Sequence, residues 1–191
     1  DRVVLAAGRN NVGQLGDGTT VDPRATAIEI AQDVMSIAAG RSFSAFVKED
    51  GTLWTTGDNS DGQLGDGTTS DRSSPQQIMT DTVQVAAGSN HTIALKSDGT
   101  AWAMGRNSAG QLGDGSRDDR LVPTQVMTDV ASVFAGSEHS LFLTTEGLLF
   151  GAGSPGRGKL GLGQEYAGKS RVTPPEMIMR NVASASAGMG H

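Results

Sequence analysis

The sequence contains no cysteine, only six prolines and few aromatic residues, which make up 4% of its 191 positions. The absence of cysteine excludes a disulfide scaffold, a thiolate zinc site and a cysteine nucleophile. No apolar run approaches the roughly 18 residues that a transmembrane helix needs, and no charged-then-apolar signal segment opens the chain. Basic residues number 15 against 21 acidic ones, for a net charge of −6. This balance argues against a protein that binds a nucleic-acid backbone.

Glycine is abundant instead, at 27 residues, and it recurs with a fixed period. The tetrapeptide Gly-Gln-Leu-Gly occupies 13–16, 62–65 and 110–113, with Gly-Lys-Leu-Gly at 158–161 as a fourth copy. An Ala-Gly pair recurs at 39–40, 87–88, 135–136 and 187–188. Both markers keep a spacing of 48 or 49 residues, apart from a last Ala-Gly step of 52. Independent markers with one period indicate tandem structural repeats.

Residues 83–127 show what one repeat contains. Three short segments of alternating apolar and polar residues are followed by a Gly-rich loop of about 17 residues and a segment that begins at Pro123. Asp98-Gly99 is a typical two-residue hairpin turn, because both of its central positions take positive φ. Four short antiparallel strands in each repeat are typical of a propeller blade. The sequence therefore predicts an all-β fold, a single β-propeller region of about four blades over residues 1–191, with essentially no helix.

Residues 86–115 also carry a family resemblance. Their pattern, Ala-Ala-Gly-x-x-His through Asp-Gly-Thr-x-Trp to Gly-Gln-Leu-Gly-Asp-Gly, resembles the repeat of the regulator of chromosome condensation family in its bacterial form. The resemblance extends over the whole chain and implies the propeller fold. Because propellers of one kind serve unrelated tasks, it implies little about function.

Strand counting leads to a further expectation about the ring. We expect fifteen strands, three followed by three sets of four, at 3–7, 26–30, 34–38, 44–48, 52–56, 75–79, 83–87, 92–96, 100–104, 123–127, 132–135, 140–144, 148–152, 176–179 and 183–187. Members of the resembling family close as seven blades, so this segment would be part of a ring, truncated at both ends. Open blade faces expose apolar surface, so we expect a longer closed chain or self-association rather than a stable free monomer.

The repeat alignment assigns most chemically tempting residues to the scaffold. His91, His139 and His191 share one register position that Phe43 fills in another copy, so we interpret them as structural imidazoles bonded to nearby backbone. Trp54 and Trp102 likewise share a packing position. Asp17, Asp66 and Asp114 lie between glycines, where an aspartate stabilises a turn. The loop 58–62 has carboxylates at alternating positions, as in calcium loops, but arginine replaces Asp58 in two other copies. We expect no catalytic residue, metal or cofactor.

Variation between repeats points to one face of the disc. The loops between the first and second strands and between the third and fourth strands should share a face, and residues there differ from copy to copy. The last repeat also carries an insertion, 164–169, with the only tyrosine of the chain. The candidate protein-binding residues are Arg9, Arg41, Asp58, Asp61, Asn90, Arg106, Glu138, Arg157 and Tyr166.

These observations favour a non-enzymatic protein-binding scaffold whose partner is a protein, with no nucleic acid and no membrane span. The family resemblance leaves two alternatives open. One is a guanine-nucleotide exchange factor for a small GTPase, which would need a protruding insertion. The other is an inhibitor of a secreted enzyme such as a β-lactamase, which would need loops rich in aromatic residues. The compartment stays open, with a bacterial surface or extracellular site favoured.

Overall fold

The computed structural model describes residues 2–163, 166 and 168–188. These residues form fourteen β-strands and one 3-10 turn at Gly156–Gly158. The strands are β1 Val4–Gly8, β2 Arg24–Ala31, β3 Val34–Ala39, β4 Phe43–Lys48, β5 Leu53–Gly57, β6 Arg72–Met79, β7 Thr82–Ala87, β8 His91–Lys96, β9 Ala101–Gly105, β10 Arg120–Met127, β11 Val130–Ala135, β12 His139–Thr144, β13 Leu149–Gly153 and β14 Val172–Met179. The described part of the chain thus has no helix of the length and apolarity needed to cross a bilayer.

The strands form four antiparallel sheets in chain order, which we call blades 1 to 4. Blade 1 contains β1 and β2, blade 2 contains β3 to β6, blade 3 contains β7 to β10, and blade 4 contains β11 to β14. The innermost strands of successive blades contact one another: the Ser36 hydroxyl accepts a hydrogen bond from the Val85 amide, and the Gln84 side chain bonds both backbone groups of Val133. The predicted all-β propeller segment of about four blades is confirmed.

Two details of the strand prediction are wrong. Two strands, not three, precede the three sets of four. Residues 183–187 form no strand, although the equivalent segments β3, β7 and β11 do, so the described strands number fourteen, not fifteen. Each of those segments pairs with the strand that follows it, whereas the residue equivalent to the start of that second strand is His191, which lies outside the described residues.

Hairpin turns set the register inside each blade. Gly51, Gly99 and Gly147 adopt positive φ of 75° to 82°, a conformation that favours glycine. The Asp50 carboxylate accepts hydrogen bonds from the amide and hydroxyl of Thr52, and Asp98 does the same with Thr100. These contacts hold the second and third strands of the blade in a continuous antiparallel ladder.

The apolar core lies between the blades rather than within one of them. Ala45, Val47 and Leu53 of blade 2 pack against Val85, Ala94 and Met104 of blade 3. A second cluster joins Ile93 and Leu95 of blade 3 to Val133 and Phe142 of blade 4. The leucines of the Gly-Gln-Leu-Gly loops are buried. Leu112 belongs to the second cluster, so its side chain fills space between blades 3 and 4.

The two faces of the disc are distinct. The backbone amides of Asp58, Arg106 and Ser154, just after the third strands, donate to the carbonyls of Ser42, Asn90 and Glu138 between the first and second strands. These loops share what we call the loop face. The amides of Glu49, Ser97 and Thr145 in the hairpin turns donate to Asp33, Asp81 and Asp129 in the connections between blades, which form the opposite hairpin face. The predicted division of loops between faces is confirmed.

Candidate protein-binding face

A buried carboxylate organises each long loop of the first three blades. In blade 2, Asp66 accepts hydrogen bonds from the amide and hydroxyl of Thr68, from the Asn59 side chain and from Arg72 Nε. A second guanidinium nitrogen of Arg72 lies 2.6 Å from Oδ2, the same carboxylate oxygen that accepts from Nε. The Asn59 side-chain oxygen in turn accepts a hydrogen bond from the Leu64 amide, and this bond fixes the position of the buried leucine. One aspartate therefore joins the loop, the outer strand and the buried leucine.

The same network recurs at the repeat period. Asp17 and Asp114 have identical roles with Asn10 and Arg24, and with Asn107 and Arg120. Burial alone would raise the pKa of Asp17, but hydrogen bonds from Thr19, Asn10 and Arg24 outweigh it and lower the pKa to about 2. The pKa values of Asp66 and Asp114 are lowered by the same balance. The predicted turn role of these aspartates is confirmed.

The arginine partner is a residue that sequence reasoning missed. Arg24, Arg72 and Arg120 recur with the same spacing as their aspartates and each occupies the first position of an outer strand. The repeat alignment contained this signal, because a basic residue recurs 48 residues apart at a strand start.

Blade 4 replaces the polar network with apolar residues. The positions of Asn, Asp and Arg are filled by Pro155, Leu162 and Val172, and the pairing of Val172 with Gly153 matches that of Arg72 with Gly57. Val172 is buried, and Leu162 packs against the same cluster. The whole set changes together, so the loop of blade 4 is held by apolar contacts.

The histidine position seals the junction between blades. His91 is fully buried, and its Nε2 lies 2.9 Å from the Ser140 hydroxyl of the next blade. Because that hydroxyl donates to the Gln111 carbonyl, His91 Nε2 is the donor to it. This contact, to a side chain of another blade, is one that the sequence prediction of a backbone partner did not include. Burial, with a smaller repulsion from His139, lowers the pKa of His91 to about 3.

A ring at the histidine position explains the Ala-Gly marker. A Cβ built on Gly40 would lie within 2.4 Å of two carbon atoms of the Phe43 ring, and one on Gly88 within 2.3 Å of two atoms of the His91 ring. Gly136 has the same relation to His139. Only glycine allows the ring to pack this closely against the backbone. Either a phenylalanine or a histidine ring can occupy the position. His191 lies outside the described residues.

The two tryptophans pack on the hairpin side of their blades. Each is half-buried and donates its indole N–H to the Thr of the preceding hairpin, at 2.8 Å. Lys48 and Lys96 lie over the two rings, 5.4 Å from the ring centres. This arrangement supports the structural interpretation of Trp54 and Trp102, and the lysines are contacts that the sequence argument missed.

Five candidate residues on the loop face have partners in the scaffold or beside it. Asp58 accepts from the Gln63 side chain, Asp61 accepts from Asn90 across the junction of blades 2 and 3, and Arg106 donates to Ser108. Tyr166 is half-buried, with Lys169 Nζ 3.8 Å from its ring centre. In the insertion that carries it, Gln164, Glu165 and Ala167 lie outside the described residues.

The other four candidates have side chains that make no hydrogen bond or ion pair within the described scaffold. Arg9, Arg41, Glu138 and Arg157 are exposed, and none of these side chains makes a hydrogen bond or ion pair with another described residue. Arg41 stands at the rim of a central opening of about 600 Å³ that is lined by the Ala-Gly segments of successive blades. Among the described residues, no group of three or more metal-ligating side chains comes together.

Matches between this chain and known repeats identify its family. The family described as "Regulator of chromosome condensation (RCC1) repeat" matches residues 50–95 and 98–143 in one form, and 34–63, 82–111 and 130–159 in another. The chain belongs to the RCC1 repeat family. A search of curated proteins finds no match.

Solved structures with RCC1-type folds are similar to the chain. Human WBSCR16 shares 26% identity over 93% of this chain and 48% of its own length, with a TM-score of 0.78. Yeast RCC1 (Prp20), solved with Kap60, shares 24% over 97% of this chain and 48% of its own, with a TM-score of 0.83. A second structure of Prp20p from Saccharomyces cerevisiae, described with its binding properties to Gsp1p and histones, shares 21% over 98% and 50%, with a TM-score of 0.82. The chain spans about half the length of these relatives.

Proposed function

We propose that the chain is a non-enzymatic segment of an RCC1-type propeller that binds a protein partner through its loop face. One observation carries the proposal: Arg9, Arg41, Glu138 and Arg157 expose charged side chains that the described scaffold does not use. Scaffold positions recur from blade to blade, whereas these positions change in charge and size. Exposed side chains that make no contact within the fold are available to contact a partner protein.

The titratable groups of the repeat support a binding role over catalysis. The carboxylates of Asp17, Asp66 and Asp114 are committed to ion pairs and hydrogen bonds, and their lowered pKa values make them poor proton acceptors. His91 is fully buried with a pKa near 3, so it is a weak base without access to a substrate. Protein binding by the yeast relatives is compatible with this proposal.

Nucleotide exchange on a small GTPase is the second candidate. It is favoured by the similarity to yeast RCC1 over 97% of the chain, since this exchange activity is that of the founding family member. It would require a segment that reaches a nucleotide site, and the insertion of blade 4 lengthens the repeat from 48 to 52 residues. An exchange assay with a GTPase from the same source would separate this candidate from simple binding.

Matched cross-linking positions test the loop face. Glu138 and Glu146 are exposed glutamates of blade 4 on opposite faces. A photo-reactive residue at 138 should yield a discrete, saturable product with a protein of the source cells, and the same residue at 146 should not. The product should disappear when unlabelled protein is added in excess, and it should weaken in an Arg41→Glu background. Equal products from both positions, or none from position 138, would refute the proposal.

A further inference from the structure

The long loop of blade 4 encloses a pocket of about 360 Å³ on the loop face. Its walls include Pro155, Leu160, Leu162 and Tyr166, with Arg157 beside them. This size is at the lower end of the range for ligand pockets and suits one large side chain rather than an extended cofactor. The neighbouring residues 164, 165 and 167 lie outside the described part of the chain and are not counted in the pocket.

The pocket follows from the replaced network. In blades 1 to 3 the equivalent space is occupied by an asparagine, a buried aspartate and its arginine, which bond to one another. Pro155 and Leu162 take the first two of these positions and cannot form such bonds. Leu162, Tyr166 and Val172 instead belong to the apolar cluster of blade 4. The loop thus offers an apolar surface where the others are polar and filled.

Positive charge borders this apolar surface. Arg157 lines the pocket with an exposed side chain, and Lys169 lies over the Tyr166 ring. Lys159 stands between two lining residues, Gly158 and Leu160. Between 154 and 171 the sequence has four cations and one carboxylate, Glu165, which lies outside the described residues; the net charge of this segment is +3, while the chain as a whole has a net charge of −6. The local charge is therefore opposite in sign to that of the molecule.

We propose that this pocket binds a large apolar side chain of a partner protein, presented on an extended segment with acidic residues on both sides. The inference rests on the proposed function and specifies the chemistry of the partner. An apolar anchor that fills a pocket, surrounded by complementary charge, is the arrangement in which a few residues dominate an interface. The cations around the pocket select acidic flanks and reject basic ones.

Arg157 offers a variant that keeps the fold. Its φ of 60° lies in the left-handed region, where glycine is favoured, so Arg157→Gly removes the charge without backbone strain. Tyr166→Ala removes one wall of the pocket. Arg180→Thr is the matched control, because Arg180 is an exposed arginine after the last strand of blade 4 on the opposite hairpin face, and the equivalent positions after blades 2 and 3 are Thr80 and Thr128.

The test uses blocked pentapeptides with a fluorescent label and the purified full protein. A peptide with four acidic residues around a central phenylalanine should bind with a dissociation constant of roughly 1–100 μM, and glycine at the centre should weaken it about tenfold. Arg157→Gly and Tyr166→Ala should each weaken binding about fivefold or more, and Arg180→Thr should leave it unchanged. A peptide with basic flanks should not bind.

Three results would refute the pocket proposal: no binding of the acidic phenylalanine peptide, equal binding of its glycine version, or an equal loss of binding in Arg180→Thr. Each is separable from the proposed function. If cross-links form from position 138 while the peptide fails, the loop face binds a partner without this pocket. If the peptide binds and position 138 gives no product, the pocket proposal is supported and the proposal that the wider loop face binds a partner is refuted.

Discussion

The long loops of blades 2 and 4 occupy equivalent places and are held by opposite kinds of interaction. In blade 2 the buried Asp66 collects hydrogen bonds from three residues and an ion pair with Arg72. In blade 4 Leu162 and Val172 meet in an apolar cluster. The buried leucine of the loop reaches the same place in both, since Leu64 and Leu160 are both nearly inaccessible. The propeller therefore needs the loop to hold its leucine in the buried position, but polar or apolar contacts can do so, provided that the partner positions change together.

The largest expected effect comes from breaking the set in one blade. Asp66→Leu leaves the Arg72 guanidinium without its carboxylate and removes the acceptor of Asn59 and Thr68, and we expect a loss of about 3 kcal/mol in the free energy of unfolding. The double variant Asp66→Leu/Arg72→Val reproduces the blade 4 pair and should recover about 1–2 kcal/mol. Urea unfolding measures both, and a double variant no more stable than the single one would show that the two loops are not interchangeable.

An intermediate effect is expected at the junction of blades 3 and 4. His91→Ala empties a fully buried ring site above Gly88, for an expected cost of about 2 kcal/mol in the free energy of unfolding. His91→Phe copies the ring that Phe43 places at the same position and should cost less than about 1 kcal/mol, because Ser140 keeps its bond to Gln111. Thermal unfolding compares the two variants. Similar losses in both would mean that the hydrogen bond, not the ring, holds the junction.

The smallest effect, taken per pH unit, is a slope of the free energy of unfolding with pH. The folded pKa of His91 is about 3, below the ordinary 6.5, so the unfolded chain takes up a proton first as the pH falls. Stability should be full above pH 6.5 and decline toward pH 3, by at most about 1.4 kcal/mol per pH unit for this residue. His91→Phe should flatten the slope between pH 6 and 4. The aspartate networks act in a lower window, because their lowered pKa values withdraw stability only below about pH 4.

The sequence predicted elements better than it predicted contacts between blades. Alternating residues and Asp-Gly turns placed fourteen strands, because those signals act within a few residues of the chain. The strand predicted at 183–187 is wrong because the alternation of apolar and polar residues is a local signal, whereas a strand also requires a neighbouring strand to pair with. The His91 to Ser140 contact was missed because its residues lie 49 positions apart and the rotation between blades sets which side chains meet. The candidate face was predicted from variation between copies, but only the structure separated exposed Arg41 from Asp61, which bonds to Asn90.

The hydroxyl contacts between blades define the unit that duplication must copy. Ser44, Thr92 and Ser140, each in the second strand of a blade, donate to the carbonyls of Gln14, Gln63 and Gln111 in the loop of the blade before. Each of these three loops is therefore closed by the blade that follows it, and neither blade of a pair contains both halves of the contact. A duplication that shifts by whole periods regenerates each pair wherever the cut falls. Recombination between genes with such repeats thus preserves the junctions without selection at the cut site.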